Sequence, residues 1–464
     1  MKFNLAKSDF GQDFIFGAAT AAYQIEGGQG PETGRGPCHW DTFAATRGNV
    51  VGLETGVQAC DHYNRWAEDL DLLRDGGFDA YRFSFAWPRI MPSGKGALNQ
   101  TGLDFYDRLI DGMLERGLKP FATAYHWDLP STLADEGGWM NASVTDRFAD
   151  YCSVLGEKYG DRLASIATIN EPWCVAWLSH AMGIHAPGHR DLRAAARAMH
   201  HVMLAHGKGV QALRSTTKAD LGIVLNYEKA EPASDTPQAR EAAAIWHALY
   251  NQWYVGGAVK GEYPELMTTA LAPYLPKGWE SEMSTVAQPI DFLGVNYYTR
   301  ARMDAAAGPG FPALENIPGP LDKTQIGWEV YPKGLADILL WLRDEYTGEL
   351  PIYVTENGMA WADTVSARAM VRCMTSSGST TLIATCALVW TSRPRACRLR
   401  GISPGLCWTT TSGRWVTGRA LGLFTWTTKH RFARLKPVTR RFSRCSLRHR
   451  RAWLRRSNAK GKSP

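Results

Sequence analysis

From residue 14 to 358 the chain alternates short apolar runs with amphipathic stretches, a rhythm that few folds can satisfy. The runs 14–20 (FIFGAAT), 78–85 (FDAYRFSF), 119–125 (KPFATAY), 164–170 (ASIATIN), 221–227 (LGIVLNY), 290–297 (IDFLGVNY) and 351–356 (PIYVTE) read as strands. Helical periods separate them. Trp66, Leu70 and Leu73 share one face before Gly76–Gly77; Tyr106, Ile110 and Met113 do so before Gly117, and Phe148, Cys152 and Leu155 before Gly160. Glycine past a last turn predicts a left-handed cap. Strand–helix alternation predicts parallel βα units, and seven strands are one short of an α/β (β/α)8 TIM barrel. No linker divides residues 1–363, which we read as one barrel domain of seven recognisable βα units.

Such barrels carry their chemistry on the loops after the C-terminal strand ends. Strand 164–170 ends in Asn170-Glu171-Pro172 and strand 351–356 in Glu356-Asn357-Gly358. Two carboxylates at strand ends can face each other across a glycosidic bond, one protonating the leaving oxygen and the other attacking the anomeric carbon. A lone glutamate there reads better as a helix cap; two, each closing an apolar strand, point to catalysis. Thirteen of the 18 tryptophans precede residue 364, and aromatic rings cover the C–H faces of pyranoses. Most of these rings belong in the core, while Trp127 and Trp328 lie in strand-end loops.

The segments FIFGAATAAYQIEG, YRFSFAWPRI, YHWDLP, TINEP, GVNYYT, GWEVYPKGL and YVTENG occur in the order found in glycoside hydrolase family 1 β-glucosidases. The chain resembles that family over residues 14 to about 360. The resemblance implies a (β/α)8 barrel and retaining hydrolysis of terminal β-D-glucosyl residues without metal or cofactor. It implies Glu171 as acid/base and Glu356 as nucleophile, with Gln24, His126 and Asn170 on sugar hydroxyls. By the same likeness Arg82 and Tyr298 hold the nucleophile, Trp328 walls the pocket, and Trp127 and Asn296 support it.

The charge pattern breaks after the last motif. All 45 acidic residues lie at or before Asp363, whereas 22 of the 52 basic residues and five of the nine cysteines fall in residues 364–464. Folded domains mix both signs on their surfaces. The family's eighth-strand motif, of the form GYFAWSLLDNFEW, is missing. Residues 401–410 read GISPGLCWTT, which the codons of that motif yield when read one nucleotide late. We therefore read 364–464 as an aberrant basic tail, translated out of frame from near Val365. Such a tail has no alternation to supply an eighth strand, so the edges of the first and seventh strands should stand open and activity be impaired.

Three alternatives follow. A 6-phospho-β-glycosidase of the same family would need Lys and hydroxyl groups in the eighth loop. An inactive sugar-binding relative is disfavoured by the presence of both glutamates. A nucleic-acid-binding tail would suit 22 basic residues, yet the frame shift already explains that composition. The expected partner is a small-molecule glycoside, with neither nucleic acid nor membrane; oligomeric state stays open. An N-terminus without a long apolar run and nine irregularly spaced cysteines suggest a soluble cytoplasmic protein.

Overall fold

The computed structural model describes residues 10–308, 311–360 and, by backbone alone, 399–402. The chain divides into one unit ending at Leu423 and a second from Phe424 to Pro464, all of which lies outside the described residues. The expected domain boundary at 363 lies outside them too.

All seven expected strands form: β1 Ile15–Ala19, β2 Ala80–Ser84, β3 Lys119–Tyr125, β4 Ser165–Asn170, β5 Asp220–Pro232, β6 Phe292–Ala305 and β8 Ile352–Glu356. A short β7, Leu314–Asn316, pairs antiparallel with the end of β6. The barrel strands pair in parallel from β1 through β6 and on to β8. The open edges expected from the tail are not found. Leu399–Ile402 forms β9, parallel to both β1 and β8, and completes an eight-stranded ring. Ladder pairing uses backbone groups that any residue but proline supplies, so four residues fill the gap without a hydrophobic pattern.

Period-two alternation sorts β2. Tyr81 and Phe83 turn outward into an aromatic layer with Phe85 and Tyr106, while Arg82 turns into the barrel. The rings of Phe121 and Phe292 each lie edge-on to Tyr353, at 5.5 and 5.6 Å. Phe121 is on β3 and Tyr353 on β8, which are not neighbours, so the contact crosses and fills the interior.

The helical faces are buried as expected: Tyr106, Ile110 and Met113 on the helix Gln100–Glu115, Phe148, Cys152 and Leu155 on Ser143–Tyr159. Gly77 and Gly117 are left-handed, with φ +73° and +71°. Gly160 is not: its φ is −63°. It is needed for space instead, because a Cβ there would meet the Thr217 side chain at 2.4 Å.

Candidate active site

Arg82 organises the mouth of the barrel, and all three of its nitrogens are used. Nη1 donates to Glu356 Oε1 at 2.6 Å, Nη2 to Asn170 Oδ1 at 2.7 Å, and Nε to Thr123 Oγ1 at 3.2 Å. Asn170 reaches it because β4 loses regular register between Ala167 and Asn170. Thr168, two residues earlier, faces outward to His206, so strict alternation would have sent Asn170 outward as well. Tyr298 at the end of the barrel portion of β6 donates to the other oxygen of Glu356, Oε2, at 2.5 Å. Both oxygens of Glu356 thus accept from donors set by neighbouring strands.

Glu171 sits on the first residue past β4 with φ +51°, a costly conformation for a non-glycine residue. Its N–H is tied to the Val224 carbonyl at 2.8 Å. Asn296 Nδ2 donates to its Oε1 at 2.7 Å and the Cys174 thiol to its Oε2 at 3.2 Å. Thr355 Oγ1 fixes that asparagine through Oδ1 at 2.7 Å.

The two carboxyls are pushed apart in acidity. Burial, followed by the negative charge of Glu356, raises Glu171 to about 7. Burial also opposes ionisation of Glu356, yet the Arg82 charge, His126 and the Tyr298 hydroxyl together outweigh it and hold this carboxyl below its usual range. Of these, His126 adds no charge at neutral pH, because burial presses its own pKa down to about 3. Arg82 is the cation that matters.

His126 is oriented by the same network. Asn170 Oδ1 accepts from Arg82 and Asn296, so its Nδ2 is the donor to His126 Nε2 at 3.1 Å. The proton of neutral His126 is then on Nδ1, which is buried and has no partner among the described residues. A hydroxyl-bearing ligand can accept it.

Sequence and structure comparisons agree on one family. The family model "Glycosyl hydrolase family 1" matches residues 6–372. A β-glucosidase from Agrobacterium sp. is 47% identical over 363 residues, covering 77% of this chain and 78% of its own. β-Glucosidase A from Thermotoga maritima is 44% identical, with 77% and 80% covered. A solved structure of the β-glucosidase from Thermotoga maritima in complex with glucoimidazole superposes with a TM-score of 0.80 at 40% identity, covering 85% of this chain and 89% of that one. The chain belongs to glycosyl hydrolase family 1.

In this family 1 hydrolase nearly all the residues expected from sequence meet in one network. Trp127, left-handed at φ +80°, donates from Nε1 to the Asn170 carbonyl at 2.9 Å, and the Trp127 carbonyl accepts from His39 Nε2 at 2.7 Å. Trp328 joins through its ring, 5.4 Å from Tyr298, and is 38% exposed at the rim. Gln24 is half-buried just past β1 and lies outside the network: its side chain makes no hydrogen bond among the described residues. No group of three or more His, Cys, Asp or Glu among the described residues can hold a metal, and no described helix is long and apolar enough to cross a membrane.

Cys174 and Thr355 were missed from the sequence. Thr355 shares the inward face of β8 with Tyr353, and the pairing of β8 with β6 loses regular register between Val295 and Asn296, the residue opposite Glu356. Cys174 stands three residues after Glu171, the spacing that brings side chains together on a helical turn, and that was its legible signal. Asn226 then links the thiol to Tyr250, donating to Sγ at 3.7 Å and to Oη at 2.7 Å. Tyr250 packs against Trp173 with centroids 4.2 Å apart.

Proposed function

We propose that the chain is a retaining β-glucosidase, with Glu356 as nucleophile and Glu171 as acid/base. The reading rests on the contrast between two neighbouring carboxyls, one held ionised by Arg82 and one raised to about 7. Glu356 attacks the anomeric carbon while Glu171 gives its proton to the departing oxygen. Formation of the glycosyl ester removes the charge of Glu356, which lowers the affinity of Glu171 for a proton and suits it to act as base on water. Tyr298, released from the esterified oxygen, and Arg82 stay in place to receive the carboxylate again. His126 Nδ1 and Asn170 address sugar hydroxyls, and Trp328 covers the sugar from the rim. The relatives' names support a β-glucoside as substrate, and terminal β-D-glucosyl groups of oligosaccharides and aryl glucosides are the proposed forms. Among the described residues Cys38, Cys60, Cys152 and Cys174 form no disulfide.

Incubation of the full chain with a 2-deoxy-2-fluoro-β-glucosyl fluoride tests the assignment, since the 2-fluoro group slows breakdown of the ester. A single label on the peptide bearing Glu356, with loss of 4-nitrophenyl β-glucoside hydrolysis, is the expected result. Undiminished hydrolysis without label on that peptide overturns it.

A second reading concerns the tail. No acid follows Asp363, and the family match ends at residue 372 of 464. Both favour an out-of-frame origin for 364–464, which limits the activity of the chain as written. Resequencing the gene around codon 365 decides it. One base gained or lost restores the eighth-strand motif; an intact frame that cannot yield the motif refutes the idea.

A further inference from the structure

A second concavity lies on the helical outer layer. It has a volume of about 760 Å³ and is formed between the long helix Leu192–Thr216, the segment 140–142 and the loop 272–277. Arg193, Arg197 and His201 follow one another at four-residue spacing along one side of that helix, and Lys277 comes from the loop opposite. Among the described residues, neither arginine nor the lysine has an acidic partner. The lining holds no acid, and acids on the neighbouring segments are engaged elsewhere. Glu282 accepts from His200 Nε2 at 2.8 Å, Asp146 pairs with Lys208, Glu136 with Lys95, and Asp191 caps the helix by accepting from Ala194 N at 2.7 Å. Three exposed cations line one pocket whose lining carries no acid, and an anion bound between them would offset their mutual repulsion.

The rest of the lining narrows the ligand. Tyr274, Pro273, Pro276 and Met140 supply apolar surface beside the charges. His201 donates from Nδ1 to the Trp139 carbonyl at 2.9 Å, which leaves Nε2 as an acceptor for a ligand hydroxyl. Two arginine forks and an ammonium suit a phosphoryl dianion, and the apolar wall suits an organic body carrying it.

We propose that this pocket binds an organic phosphate, its phosphoryl group on Arg193, Arg197 and Lys277 and its body against Tyr274 and the prolines. The site is independent of the catalytic reading, since it shares no residue with it.

Titration of the full chain by calorimetry with inorganic phosphate and with phenyl phosphate tests the site at low ionic strength. The comparison is with Arg193→Ser/Arg197→Ser, both positions being exposed, and with Lys277→Ser as a second variant. The basic tail is common to all the proteins, so the difference between them reports the pocket. Expected are saturable binding, phenyl phosphate at least ten-fold tighter than inorganic phosphate, and a loss of ten-fold or more in each variant at an unchanged melting temperature. Equal binding by wild type and variants, or no preference for phenyl phosphate, overturns the proposal.

Discussion

A carboxyl serves as general acid near neutral pH only if something keeps its proton there, and Glu171 owes that to burial first and to Glu356 second. The pH dependence follows with a definite sign. With Glu171 as the proposed acid, activity needs it protonated, so kcat/KM on an aryl β-glucoside should fall as pH rises through about 7. It also needs Glu356 ionised, so an acid limb should appear below the usual carboxylate range. The thiol of Cys174 donates to Glu171 and favours its ionised form. Cys174→Val should therefore move the basic limb upward, with the acid limb in place; a basic limb unmoved by the substitution would deny the thiol that part. The glutamates were legible because each ends an apolar strand in a recognisable motif. Cys174 offered only its three-residue spacing from Glu171, and a cysteine beside an apolar run reads as core until the turn that folds it back is seen.

Elements place these residues, and here the sequence was legible in period and opaque in irregularity. Alternation along β2 puts Arg82 inside, but nothing in SIATIN announces the register change that redirects Asn170. That shift depends on pairing with β5, a partner more than fifty residues away. The one-turn helix Ala22–Ile25 and the loop after it are anchored in a similarly distant way. Glu26 accepts from Arg89 Nε at 2.9 Å and from Tyr106 Oη at 2.8 Å, and both ion-pair partners are buried. The same guanidinium donates to the carbonyls of Gly27, Gly28 and Thr33, which pins the loop beneath the Gln24 segment. Removing one member of a buried pair strands the other, so Glu26→Ala should cost about 3–5 kcal/mol. Urea unfolding of variant and parent measures it, and a loss under about 1 kcal/mol would mean that water replaces the carboxylate at Arg89.

At the scale of the whole molecule, buried histidines set an acid limit. Burial lowers His39 and His201 to about 4 and His126, His180, His185 and His206 to about 3. Their unfolded values lie near 6.5, so as pH falls below that point the unfolded chain takes up protons first. Their contribution to stability is complete above about pH 6.5 and is lost progressively towards about pH 3, at roughly 3 kcal/mol for each shift of two pKa units. The melting temperature should drop steeply over that interval, and a flat profile from pH 7 to 4.5 would contradict the burial. Closure of the ring is the other global constraint, and it was the feature least legible in the sequence. A motif search sees a missing eighth strand, whereas the edges of β1 and β8 need only backbone donors and acceptors, which Leu399–Ile402 provides. Gly401 stands opposite both Ile15 and Tyr353, so proline at that position removes an N–H from the middle of the ladder. Gly401→Pro should lower the melting temperature and shift the protein towards aggregates in size-exclusion chromatography, as deletion of 361–464 should. If both variants melt and elute like the parent, the seven strands from β1 to β8 hold the barrel unaided, and β9 contributes pairing without stability.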